Sequence, residues 1–251
     1  MTPALRLRLF LPAALLLTLL LAWALSGAPR FGTFDGRYGQ WLNHHTVPQR
    51  HVTDVVTAIN FDYRGWDTLG EEFILFISVI GVRLLLRTQR DERETRPRDQ
   101  APGRRATSSS ASVRVLGLAL IGPLVLYGLD VVTHGQLTPG GGFQGGVVLA
   151  TALWLVYLAG SYETMLHVTP ETLVGWTEAA GAGGYALIGL YGWLTGVAYL
   201  QNVLPLGQVG SVFSGGTIPL ISLAVAGAVT GGFVLLLRAF LAEALQVRSR
   251  S

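Results

Sequence analysis

Two adjacent carboxylates, Glu71 and Glu72, stand at the head of an apolar run that continues to Arg87. A carboxylate there can do one of two things. It can meet the free backbone N–H groups and the positive end of a starting helix. Or it can face a water-filled route through a membrane, taking up protons or drawing in a cation. Spacing leaves both readings open. Just upstream, Asp62, Arg64 and Asp67 can pair with one another at an interface, and Tyr63 and Trp66 suit the headgroup level. Thr68 or Asp67 is placed to N-cap the helix, which puts Glu71 near its first turn. Arg83 lies about three turns past Glu72 on the same face. It is either a balancing charge or a side chain snorkelling to the far interface.

Other polar residues are spaced for chemistry. Asp130 and His134 are four apart and share a helical face if the helix continues. A carboxylate–imidazole pair can pass protons near neutral pH. The plainer reading is two interfacial residues in water. Glu178 reads as a helix-end carboxylate. His44, His45 and His51 lack a supporting metal-ligand spacing, and the chain has no cysteine. Disulfides, thiolate zinc and iron–sulfur ligation are therefore excluded. No metal, no cofactor and no catalytic residue is assigned, so an enzyme is not expected.

A glycine-rich stretch runs Pro139, Gly140, Gly141, Gly142, Phe143, Gln144, Gly145, Gly146. Gly140, Gly142 and Gly145 fit a G-x-G-x-x-G string, but that fingerprint needs a preceding strand and a soluble βαβ unit. Its flanks here are two membrane-length apolar runs. A P-loop is excluded because the chain has no lysine. The spacing predicts packing: Gly141 with Gly145, and Gly142 with Gly146, leave bare backbone on a helix face. Pro139 suits a helix start. Gly192/Gly196 and Gly227/Gly231 repeat the spacing.

These residues need elements to hold them, and composition says which. Of the 251 residues, 50% are hydrophobic and only 13% charged, against about 25% in soluble domains. Six segments are apolar over roughly the 20 residues that cross a bilayer: Leu9–Leu25, Leu69–Arg87, Val113–Val132, Gly141–Gly160, Trp176–Tyr199 and Thr217–Phe240. The expectation is an all-α, polytopic membrane protein of about six helices in a 2 + 4 arrangement. The first segment also has features of a signal peptide, but five further spans favour a retained helix. The domains are then a two-helix module with an external loop over 1–90, an Arg/Ser-rich linker over 91–112 and a four-helix domain over 113–251. Arginines cluster in that linker and near both ends, so the positive-inside rule puts linker and termini in the cytoplasm. The same clustering between apolar spans argues against nucleic acid as a partner.

Two stretches resemble known families. Asp62-Tyr63-Arg64-Gly65-Trp66-Asp67-Thr68-Leu69-Gly70-Glu71 resembles the short module that ends the large A subunit of Mrp antiporters, and the small E-type subunit of membrane-bound hydrogenases. Gly135 to Gly146, with Ser214-Gly215-Gly216-Thr217-Ile218-Pro219-Leu220, resembles the Mrp B subunit, the MnhB family. The first module stands fused ahead of the second. The resemblance implies an accessory subunit of a multisubunit Na+/H+ antiporter in a bacterial or archaeal plasma membrane. Its implied partners are the other subunits, the lipid bilayer and the transported Na+ and H+. In such complexes the large subunits hold lysine–glutamate relays. With no lysine, this chain is expected to complete an ion route at a subunit contact, with Glu71, Glu72, Asp130 and His134 as candidates. The rivals are a membrane subunit of a hydrogenase or another redox-driven pump, and an assembly protein with no ion contact.

Overall fold

The computed structural model describes residues 3–28, 32, 36–86 and 109–250. Regular structure among them is helical. The chain divides into two compact units, Met1–Trp41 and Leu42–Ser251. The first holds α1 (Pro3–Ser26), an apolar helix with Pro12 inside it. The expected linker lies outside the described residues up to position 108.

α2 (Arg37–Arg50) runs from the first unit into the second, where Leu42 and Thr46 are buried. Asp54 then N-caps the single turn α3 (Val55–Ala58): its carboxylate accepts from the backbone N–H groups of Val56 and Thr57 and from the Thr57 hydroxyl. A π-helical turn, Ile59–Tyr63, leads through Arg64 into α4 (Gly65–Leu85). The helix therefore starts before Thr68, without a side-chain cap. This corrects the expected cap at Thr68 or Asp67, and Glu71 falls beyond the first turn.

The rest of the second unit comprises α5 (Ala111–Thr133), α6 (Gly142–Ala159), the short α7 (Tyr162–Val168), α8 (Glu171–Leu194) and α9 (Ile218–Arg250). Ser110 caps α5 and Ser161 caps α7. Among the described residues, three helical segments are long and apolar enough to cross a membrane: Ala111–Thr133, Gly142–Ala159 and Ile218–Ala242. α4 and α8, with 21 and 24 residues, have spanning length but carry carboxylates. The chain is a helical, multi-pass membrane protein.

α9 packs along α6, α8 and α4, and glycine sets the closeness of each crossing. A Cβ on Gly142 would fall 2.2 Å from the Ser222 carbonyl oxygen, and one on Gly146 would fall 2.8 Å from Val229 Cβ. Gly145 faces α5 instead, where a Cβ would lie 2.3 Å from Val132 Cγ2. On the other side of α9, a Cβ on Gly181 would meet the backbone N of Ala228 at 2.3 Å. Backbone-to-backbone contact maximises dispersion where lipid supplies no hydrophobic drive.

Candidate functional site

α4 and α8 run antiparallel. At one end the Tyr185 hydroxyl donates to the Gly65 carbonyl at 2.9 Å. At the other, Arg83 pairs with Glu171. Glu72 and Glu178 each lie seven residues, about two helical turns, from that Gly65–Tyr185 contact, and so at similar depth. Glu72 is 3% exposed and Glu178 4%. Each has an oxygen, Glu72 Oε2 and Glu178 Oε1, that is buried without a hydrogen-bond partner. Glu71, one residue before Glu72 and so about 100° around the helix, is exposed.

Glu178 is not at a helix end. α8 begins at Glu171, two turns earlier, because Pro170 precedes it and suits the start of a helix. The sequence reading missed this residue as a site candidate. The signal available was its place on one face with Glu171 and Tyr185, at spacings of seven. α9 supplies the floor beneath it. A Cβ on Gly231 would lie 2.8 Å from Glu178 Cβ, and one on Gly232 would lie 3.4 Å from Glu178 Oε1 and 3.2 Å from Val79 Cγ2 of α4. The carboxylate therefore sits where α4, α8 and α9 converge.

Both ends of the α4–α8 contact are polar and each borders a cavity. At the Gly65 end, Asp62 accepts from Arg50 Nε at 2.7 Å and from Asn202 Nδ2 at 3.0 Å. Asn202 also donates to the Gly215 carbonyl and accepts from Thr217 N–H, tying the 199–217 loop to the π turn. Arg50 lies over the Tyr63 ring, and Trp66 packs on Tyr199. These residues line a cavity of about 340 Å³. The expected trio is thus split: Arg64 pairs with Asp67 at the surface, while Asp62 turns inward to Arg50 and Asn202. At the other end, the Glu171 carboxylate lies between Arg83 and Arg238.

Asp130 and His134 form a pair of their own, Oδ1 to Nδ1 at 2.9 Å, at the exposed end of α5. Pro139 and Gly140 lie in the turn between α5 and α6. Gly141 follows at φ +122°, a conformation that favours glycine, and its N–H donates to the Val131 carbonyl. α6 starts only at Gly142, so Pro139 precedes the helix instead of opening it. Among the described residues no cluster of three or more His, Asp or Glu side chains is placed to hold a metal.

Residues 112–235 match the family model described as a domain related to the MnhB subunit of Na+/H+ antiporter. An uncharacterized protein of Methanocaldococcus jannaschii is 30% identical over 217 residues, spanning 78% of this chain and 79% of that protein. Among solved structures, a chain of the membrane-bound sulfane sulfur reductase, an archaeal respiratory membrane complex, is 32% identical, with a TM-score of 0.70 over 94% of this chain and 98% of that one. A chain of the Mrp complex from Dietzia sp. DQ12-45-1b shares the fold at 23% identity and a TM-score of 0.65, over 94% of this chain but 26% of that longer one. The glycine-rich motif, the matched domain and a relative aligned over most of its length agree, and the chain belongs to the MnhB-related family.

Proposed function

We propose that the chain is an accessory plasma-membrane subunit of a multisubunit Na+/H+ antiporter and completes an ion route at the contact between subunits. The carrying observation is the pair Glu72 and Glu178, both buried, each with an unpartnered oxygen, between α4, α8 and α9. A buried carboxylate in a membrane span is expensive and belongs by default to an ion or proton pathway. Glu71 adds the subunit contact. It is exposed on α4, one turn before the exposed apolar Ile74. A carboxylate on that face is costly against lipid, so a partner subunit that solvates it covers α4 there. Asp130 and His134 then belong to the aqueous surface. The linker and both termini face the cytoplasm.

The test is transport by the assembled complex in everted membrane vesicles, read as sodium-dependent collapse of a pH gradient. Glu72→Gln and Glu178→Gln should each abolish most of it at wild-type complex abundance. Full activity in both variants would sink the ion-route reading and leave an assembly role.

A second reading has its own support: the chain serves a redox-driven pump. The likeness to a chain of the sulfane sulfur reductase covers almost all of that chain at 32% identity. The buried carboxylates would do the same work, with the driving reaction on partner chains. Gentle-detergent purification with identification of the co-purified subunits separates the two.

A further inference from the structure

Glu171 opens α8 and engages arginines from two other helices. Arg83 of α4 donates to Glu171 Oε1, and Arg238 Nη2 of α9 lies 3.6 Å from Glu171 Oε2. The two cations are held differently. Arg238 also donates to the Thr169 carbonyl, and its side chain is 15% exposed. Arg83 is 36% exposed and borders an open cavity of about 520 Å³, lined also by Glu171, Gly175, Trp176 and Ala179. Two turns along α8 from Glu171, on the same face, lies Glu178 with its unpartnered Oε1. Between the two glutamates stands Gly175, and a Cβ there would meet open space. The charged and titratable groups along this crevice are Glu72 and Arg83 on α4, Glu171, Glu178 and Tyr185 on α8, and Arg238 on α9.

We propose that Arg83 is an exchangeable counter-ion, resting on Glu171 while Glu178 is protonated and moving past Gly175 to Glu178 when that carboxylate ionises. This rests on the reading of Glu178 as part of the ion route. An ionised carboxylate in a dry crevice is strongly disfavoured without an opposite charge. The two glutamates are about 10 Å apart along α8, a distance that a long arginine side chain covers by changing rotamers. Glu171 keeps Arg238 when Arg83 leaves. One proton departs from Glu178 into the route, none is taken by Arg83, and both arginines stay charged throughout. Arg83 is thus a positioning residue that sets when Glu178 gives up its proton.

The test is the pH profile of sodium-dependent gradient collapse by the whole complex in everted vesicles, with complex abundance measured on the same membranes. Arg83→Gln removes the cation, so Glu178 ionises only at higher pH, and the profile should move up by roughly one pH unit, a tenfold change in proton affinity. Glu171→Gln frees Arg83 to stay on Glu178 and should move the profile down by a similar amount. Gly175→Leu changes no charge but obstructs the passage, and should move the profile up, as Arg83→Gln does. Arg83→Lys should stay near wild type. Shifts in the same direction for Arg83→Gln and Glu171→Gln, or no shift in either, overturn the counter-ion. If the charge variants fail to assemble, an unmoved profile in Gly175→Leu overturns it alone. Glu178→Gln separates the two levels. Transport retained there removes the underlying route, whereas transport lost there with unmoved profiles elsewhere removes only the role of Arg83.

Discussion

Glu178 of α8 and Gly231 of α9 meet without a side chain between them: a Cβ at position 231 would fall 2.8 Å from Glu178 Cβ and 2.7 Å from its backbone nitrogen. A close approach of these two helices is therefore also the place where a carboxylate is buried. Gly231→Ala should separate the helices and destabilise the protein by about 1–3 kcal/mol, the usual range for overpacking. A lower thermal midpoint of the detergent-solubilised complex, with less complex on a native gel, is the expected result. An unchanged midpoint would mean that the crossing tolerates the shift.

The α6–α9 crossing makes a harsher demand. At Gly142 the obstructing atom is the Ser222 carbonyl oxygen, which belongs to the backbone and cannot rotate away. Gly142→Leu should therefore abolish assembly, and Gly146→Leu, which meets Val229, should reduce it strongly. Immunoblots of native gels read both. Normal assembly with lost transport would instead assign the glycine-rich turn a direct place in the ion path.

Glu71 and Glu72 should behave differently although they are neighbours. Glu72→Gln acts inside the crevice and should remove most transport with the complex intact. Glu71→Gln acts on the exposed face of α4, where a partner subunit is proposed to sit, and should weaken association as well as transport. Glu71→Asp should keep part of both. Subunit recovery in a pull-down beside vesicle transport separates these effects. Wild-type recovery and transport in Glu71→Gln would remove the partner contact from that face.

Asn202 is a hub for the 199–217 loop, bonded to Asp62, the Gly215 carbonyl and Thr217 N–H. Asn202→Ala leaves three partly buried groups without it, at about 1–3 kcal/mol for each one that water cannot reach. Limited proteolysis should then cut within 199–217 faster than in wild type. Equal cleavage rates would mean that the turn at Gly215 and Gly216 holds the loop without the amide.

Orientation is testable independently of transport. A reporter that is active only in the cytoplasm, fused after Arg105 or at the C-terminus, should be active at both positions. One fused within 43–60 should be silent. The reverse pattern would invert the proposed topology and place the Glu171 end of the crevice outside.

Much of this was legible in the chain order of residues. Apolar runs of spanning length between arginine clusters define membrane helices, because the bilayer leaves the backbone few other solutions. The glycine-rich string at the start of α6 lies within the stretch that matches the family. What a linear reading could not reach was direction around each helix. Neighbours such as Glu71 and Glu72 point about 100° apart, and only the packing of α4 on α8 and α9 decides that Glu72 is buried and Glu71 exposed. Glu178 looks terminal in sequence because the apolar run begins beside it. α8 instead starts behind Pro170 at Glu171, and only tertiary packing balances that charge, with arginines 88 positions earlier in the chain and far later in α9. Asp62 likewise has nearby candidates in Arg64 and Asp67, yet the folded loop brings it Arg50 and Asn202. Pairing across helices depends on three-dimensional distance, and sequence spacing along one helix records only the part of that distance which the helix itself fixes.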